Sequence, residues 1–198
     1  MKNTLFLFLV TLFLPVLVAE ETPKVFLEHR VDQLLEVLKS SDSFEKKKTD
    51  LGEIFRTSFD MVQLSGMALG RESWLSLKTD EKKAFISKYT EFILSFYTSN
   101  MDGYNGEGLS MGEATLKSKG KKAVVPFSII VDGKSVAMTY SLKKSKSNGW
   151  KIYDVEVEGV RLSTQYRNQF TSIIKKKGFE GLLIEMDHLI KKQSKTQN

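Results

Sequence analysis

The hydrophobic residues of this chain keep one period in the middle and another on both sides, and that switch limits the possible folds more than any other feature. Val125, Phe127, Ile129 and Val131 alternate with Val124, Pro126, Ser128 and Ile130, and Val136, Met138, Tyr140 and Leu142 alternate with Ala137, Thr139 and Ser141. Asp132-Gly133 lies between the two runs, a strong signal for a two-residue hairpin. After the turn residues Ser147-Asn148-Gly149, Trp150 to Glu158 forms another run, in which Tyr153, Val155 and Val157 alternate with Asp154, Glu156 and Glu158. Period two means strands with one apolar face and one polar face, and hairpin signals mean that neighbours run antiparallel. Trp150 and Ile152 lie on the opposite phase to Tyr153, which predicts a bulge near Ile152 and a curled sheet. Pro126 marks its strand as an edge or as bulged. Thr115 to Lys119 reads as a weak edge strand.

On both sides the period is helical. Val25, Phe26, Val31, Leu34, Leu35 and Leu38 form one face of a helix ended by Ser40–Ser43, and Leu51, Ile54 and Phe55 mark a second over Phe44–Arg56. Phe59–Leu69 is a short helix stopped at Gly70, with an irregular continuation to Leu77. Thr79-Asp80-Glu81 is a strong helix start, a hydroxyl cap followed by acids in the first turn. That helix runs to about Asn100, roughly 22 residues or ~33 Å, with Phe85, Tyr89, Phe92 and Phe96 on a wide apolar face. Asp102–Gly106 is a turn cluster. Gly159 breaks the last strand, Val160 onward reads as a helix ended by Lys175-Lys176-Lys177-Gly178, and Phe179–Ile190 is a final amphipathic helix. Helices, a curved antiparallel sheet, then helices again make an α+β domain. Periodicity alone reads the many large apolar groups as a filled core.

The first residues predict export. Lys2 precedes an apolar run from Leu5 to Val18, Ala19 offers a small residue at a cleavage point, and Glu20-Glu21-Thr22-Pro23 is polar. The run is shorter than the ~20 apolar residues of a spanning helix and is weakened by Pro15. Residues 1–19 are therefore expected to be a signal peptide and 20–198 a single domain, with no linker or internal repeat. The net charge of +6 falls to +5 on cleavage, because Lys2 is the only charged side chain removed.

Catalytic chemistry finds little support. The chain has no cysteine and two histidines, His29 and His188, far apart and without multi-ligand spacing, so no metal site and no cofactor is expected. No phosphate loop, nucleophile elbow or zinc-protease helix occurs. Asp154, Glu156 and Glu158, beside Lys143, Lys144 and Lys151, read as a solvated sheet face with cross-strand ion pairs. The lysines are dispersed, which argues against nucleic acid. Anionic lipid headgroups are the alternative target of the positive charge.

Four segments together resemble the MlaC family of periplasmic phospholipid-binding proteins, also called the toluene-tolerance family. They are Phe59-Asp60 with Leu69-Gly70-Arg71 and Trp74; Thr79-Asp80-Glu81-Lys82-Lys83-Ala84-Phe85 with Phe92 and Tyr97; Trp150-Lys151-Ile152-Tyr153-Asp154-Val155 with Glu158-Gly159-Val160; and Tyr166-Arg167, Gln169-Phe170 and Ile173. The chain departs from the pattern at Lys83, where the family has arginine, at Phe85, one residue early, and at Arg161, where many members have serine.

The resemblance implies a soluble periplasmic shuttle, a monomer carrying phospholipid between an inner-membrane ABC transporter complex and an outer-membrane lipoprotein or porin complex. It implies a cystatin-like or nuclear-transport-factor-like curved sheet packed with helices around an apolar pocket, so it replaces the filled core by a cavity for acyl chains. Phe127, Ile129, Met138, Tyr140, Tyr153, Val155 and Val157 are then expected to face the pocket from the sheet, and Phe92, Phe96, Tyr166 and Phe170 from helices. Arg71, Arg161 and Arg167 are expected at its mouth, with a structural ion pair as the alternative for Arg167. A hopanoid or other apolar-lipid carrier, an enzyme on the same curved-sheet fold and a structural adaptor stay open as alternatives.

Overall fold

The computed structural model describes residues 20–99, 108–131, 133–147 and 149–195. The expected leader, the turn cluster at Asp102–Gly106, Asp132 and Asn148 lie outside them. Five helices come first: α1 (Pro23–Lys39), α2 (Phe44–Ser58), α3 (Met61–Leu69), α4 (Arg71–Ser76) and α5 (Thr79–Ser99). The strands follow as β1 (Ser110–Met111), β2 (Thr115–Lys117), β3 (Lys122–Val131), β4 (Lys134–Lys144), β5 (Trp150–Val157) and β6 (Val160–Arg161), and α6 (Leu162–Lys195) closes the chain. The result is the α+β architecture expected, an open antiparallel sheet packed against helices.

Side-chain caps set the helix starts. Thr22 Oγ1 accepts from the Val25 amide at 3.2 Å with Pro23 in the first turn, Ser43 Oγ accepts from Lys46, and Asp60 Oδ1 accepts from Gln63 at 2.9 Å. The stretch after Gly70, expected to be irregular, forms the short helix α4. Gly178, with φ 72°, divides α6 where a stop was expected, and the chain continues as helix on both sides of it.

The sheet order is β1-β3-β4-β5-β6, and β2 also pairs with β3. β3 is thus not an edge. β1 and β2 lie along one side of it as an interrupted outer strand, and Pro126 sits at the interruption. Its carbonyl accepts from the Gly112 amide at 2.9 Å, so the nitrogen that lacks a proton also points to the broken side and costs the β3–β4 ladder nothing. The expected bulge is present: Ser141 pairs with Asp154 but Leu142 with Ile152, leaving Tyr153 as the extra residue.

Beyond β5 the chain differs from the direct strand-to-helix corner expected. Glu158 (φ 49°) and Gly159 (φ 78°) form a two-residue turn with both central φ positive, and Val160–Arg161 returns as β6 against β5 before α6 begins. Asp154, expected on a solvated face, is 1% exposed because the start of α6 folds over it. Its carboxylate accepts from the Ser163 hydroxyl at 2.7 Å, the Ser163 amide at 3.3 Å and the Val155 amide at 3.0 Å. The lysines near it take other partners than the strand acids: Lys143 pairs with Asp60 and Lys144 with Glu20, and Lys151 donates to the Thr57 carbonyl.

Burial falls into two clusters. One joins Phe55, Leu64, Leu69, Phe85, Tyr89, Phe92, Phe170, Leu182 and Met186 from the helices. The other packs Phe26 and Leu27 of α1 against Ala123, Val125, Leu142, Trp150, Ile152 and Val155 of the sheet, and Phe59 touches both.

Candidate functional site

A concavity of about 1590 Å³ lies between α2, α5 and the start of α3, and Lys151 of β5 and Ile190 of α6 also line it. It exceeds the ~300–1,000 Å³ of ordinary small-molecule sites. Helical spacing makes its apolar surface: Gly52 on α2, Met61 on α3, and Ile86 and Leu94 on α5 line it together with Phe59 and Ile190. Phe44 and Val62, 43% and 59% exposed, extend this surface outward. Lys48, Arg56, Lys83 and Lys151 stand around it with Glu45 and Glu91. Lys151 is held below the ordinary lysine value by burial and by the Arg30 charge, against the opposing pull of Asp60.

A second cleft of about 1050 Å³ adjoins the first through Asp60, Val62 and Ser145, which line both. It is walled by α3 and α4, by the end of β4, and by β6 with the first turn of α6. Arg71, Arg161 and Arg167, expected together from the sequence, share this cleft. Arg161 Nε lies 3.6 Å from Glu156 Oε2. The stem of Arg167 lies across Gly70, where a Cβ would approach Arg167 Cδ to 3.3 Å, and Gly70 has φ 83°. Both facts favour glycine at the joint between α3 and α4. Asp60 stands between the two hollows, paired with Lys143 while it caps α3. Burial would raise its carboxyl, but the Lys143 hydrogen bond, the Gln63 amide and the charges of Lys143 and Lys151 outweigh that and hold it below the usual carboxylate range.

The other expected pocket residues do not together line either of these two hollows. Phe92, Tyr166 and Phe170 pack in the helical cluster, where Tyr89 stands edge-on to Tyr166 and Phe170 with ring centroids 5.6 Å apart in each pair. Burial pushes the Tyr166 hydroxyl up. Phe96 is 48% exposed. Val155, with Met138, Tyr140 and Val157 beside it, belongs to the sheet cluster. Phe127 stands edge-on to Tyr140 at 5.6 Å and lines a third hollow of about 470 Å³ beneath α1, and Ile129 shares its face on β3. Tyr153, displaced by the bulge, lies under the Lys122 ammonium at 5.5 Å. Residues of the large groove that periodicity did not single out include Gly52, Leu94 and Lys151. Gly52 alone carried a signal, as a glycine inside a helical pattern.

The described residues hold no group of three His, Cys, Asp or Glu placed to bind a metal ion, and no described helix is long and apolar enough to cross a membrane. His29 is exposed, with Nδ1 3.0 Å from Glu21 Oε1.

The model of the family described as "MlaC protein" matches residues 28–188. The chain belongs to the MlaC family. Its fold is also similar to a solved phospholipid-binding protein from Ralstonia solanacearum in complex with a phospholipid, with a TM-score of 0.76. The two are 22% identical, over 86% of this chain and 98% of that one. The MlaC match spans all the described secondary structure except the margins of α1 and α6, and every residue lining the two hollows except Ile190 lies within it.

Proposed function

We propose that this MlaC-family chain is a phospholipid carrier that holds acyl chains in the large groove between α2 and α5. The observation that carries the proposal is the groove itself, about 1590 Å³ with apolar residues on three helices and charge around them. Membership of the MlaC family and the shared fold with a phospholipid-bound protein support it. Each buried CH₂ is worth about 0.8 kcal/mol, so sheltering two chains is worth on the order of 20 kcal/mol, close to what a bilayer offers. Loading and release then need a partner at each membrane, since transfer proceeds only on a small difference between two large terms.

The chain acts in the periplasm after removal of residues 1–19, as a monomeric domain spanning 20–198. It shuttles between an inner-membrane ABC transporter complex and an outer-membrane lipoprotein or porin complex, with phospholipid as its cargo, no resident cofactor and no catalytic step. The apolar run before Ala19 supports export, and the MlaC family is one of periplasmic proteins. Native mass spectrometry of protein purified without added lipid should show a mass raised by one phospholipid, and the same lipid should appear in an organic extract. A bare-chain mass with a lipid-free extract would rule the carrier function out.

A further inference from the structure

The second cleft concentrates positive charge. Arg71, Lys143, Lys144, Lys146, Arg161 and Arg167 line it, and Asp60 is the one carboxylate among its described lining residues, so this one hollow carries nearly the excess of the whole chain, +6. Three of the cations are accounted for by pairs: Lys143 with Asp60, Lys144 with Glu20 and Arg161 with Glu156. Arg71, Lys146 and Arg167 have no hydrogen-bond or ion-pair partner among the described residues. Like charges gathered in a hollow repel one another, and an anion seated between them relieves that repulsion. The helix end at this cleft is already served by the protein, because Asp154 takes the amide and hydroxyl of Ser163, leaving the guanidinium groups as the donors for a ligand. Arginine forks suit phosphate geometry, and the Arg167 stem is fixed against Gly70.

We infer that the second cleft is the seat of the phosphate of the bound lipid, with Arg71, Lys146 and Arg167 as its cationic partners. This assignment rests on the carrier function proposed above and adds to it the place and chemistry of the headgroup. Continuity supports it: Val62 and Ser145 line both hollows, so one molecule can leave its chains in the large groove and its phosphate among the arginines. Val62, 59% exposed, is an apolar sill between the two. A neutral lipid with the same chains would fill the groove and leave the cleft empty.

The test compares two fluorescent lipids with identical pyrene-labelled chains, phosphatidylglycerol and diacylglycerol, binding to the purified protein after cargo exchange. The wild type should bind phosphatidylglycerol more tightly. Arg71→Gln with Arg167→Gln should weaken phosphatidylglycerol by about 25-fold, taking about fivefold for each cation, and leave diacylglycerol unchanged. Lysine at both positions should restore most of the loss. Lys146→Gln, at an exposed position, provides an independent variant with an expected loss of about fivefold. Equal binding of the two lipids by the wild type, or an equal loss of both in the variants, would overturn the headgroup site while leaving the carrier intact. Binding of neither lipid would overturn both. Inorganic phosphate titrated by calorimetry distinguishes a free anion: affinity matching the lipid's, lost in the double variant while lipid binding persists, would make the cleft a phosphate site and overturn the assignment.

Discussion

A carboxylate that is 1% exposed must find its hydrogen bonds inside the protein, and Asp154 finds three, from Val155 and from the amide and hydroxyl of Ser163. Two of them cross from β5 to the first turn of α6, so this side chain fixes the direction in which the helix leaves the sheet. Asp154→Ala should lower stability by about 2–3 kcal/mol, from lost charge-assisted bonds and buried donors left without partners. Asp154→Asn should cost less, since one oxygen remains to accept from Ser163. Urea midpoints at constant slope check both. Strand alternation placed Asp154 with Glu156 and Glu158 on a solvated face, and burial overturns that reading for Asp154. The covering element is the returning β6 and α6, which a local pattern of apolar residues does not reveal. The three arginines of the second cleft were expected together through the family resemblance, not through any local pattern. Their meeting depends on Gly70 and on the β5–β6 turn, both tertiary in effect.

At the level of elements, period and caps told most of the story. The helices stand where threefold and fourfold spacing put them, and the bulge was visible as a change of phase between Ile152 and Tyr153. What the pattern missed was short: α4 has six residues and β1 and β6 two each, too few for any period to register. The joints between elements are ionic as well as apolar, and Asp60 is the clearest case, since it caps α3 and ties it to β4 through Lys143. Asp60→Asn isolates the ion pair, because asparagine caps a helix as well as aspartate does. The variant should lose about 1 kcal/mol at neutral pH. The folded-state carboxyl sits below its ordinary value, so its contribution is present above about pH 4 and disappears as pH falls through the depressed value. Wild type and variant should therefore differ at pH 7 and converge in acid. A constant difference from pH 7 to below 3 would show that Lys143 is not what lowers the carboxyl.

Across the whole molecule, apolar stripes say that a face is buried but not which face it meets. Sheet residues such as Met138 and Val155 and helix residues such as Phe92 and Phe170 were expected around one pocket, and they pack in two clusters joined at Phe59. The large hollow lies elsewhere, along α2 and α5, and Gly52 is one of the residues that line it. Gly52 is buried inside a helix, where glycine costs roughly 0.5–1 kcal/mol relative to alanine. A Cβ built there meets Arg56 Nη1 at 3.4 Å and Leu94 Cδ1 at 3.6 Å, ordinary contacts that leave room for a methyl group. Backbone strain is no reason for glycine either, since Gly52 is not among the residues with positive φ. Gly52→Ala should raise the melting temperature, through helix propensity, and leave lipid content near that of the wild type. Gly52→Leu should keep the fold, as judged by circular dichroism, and displace cargo, because its side chain extends into the space proposed for acyl chains. Native mass spectra of the three proteins decide the matter: full lipid occupancy in Gly52→Leu would mean that the chains lie outside this groove, whereas a stable, empty protein would mean that they occupy it.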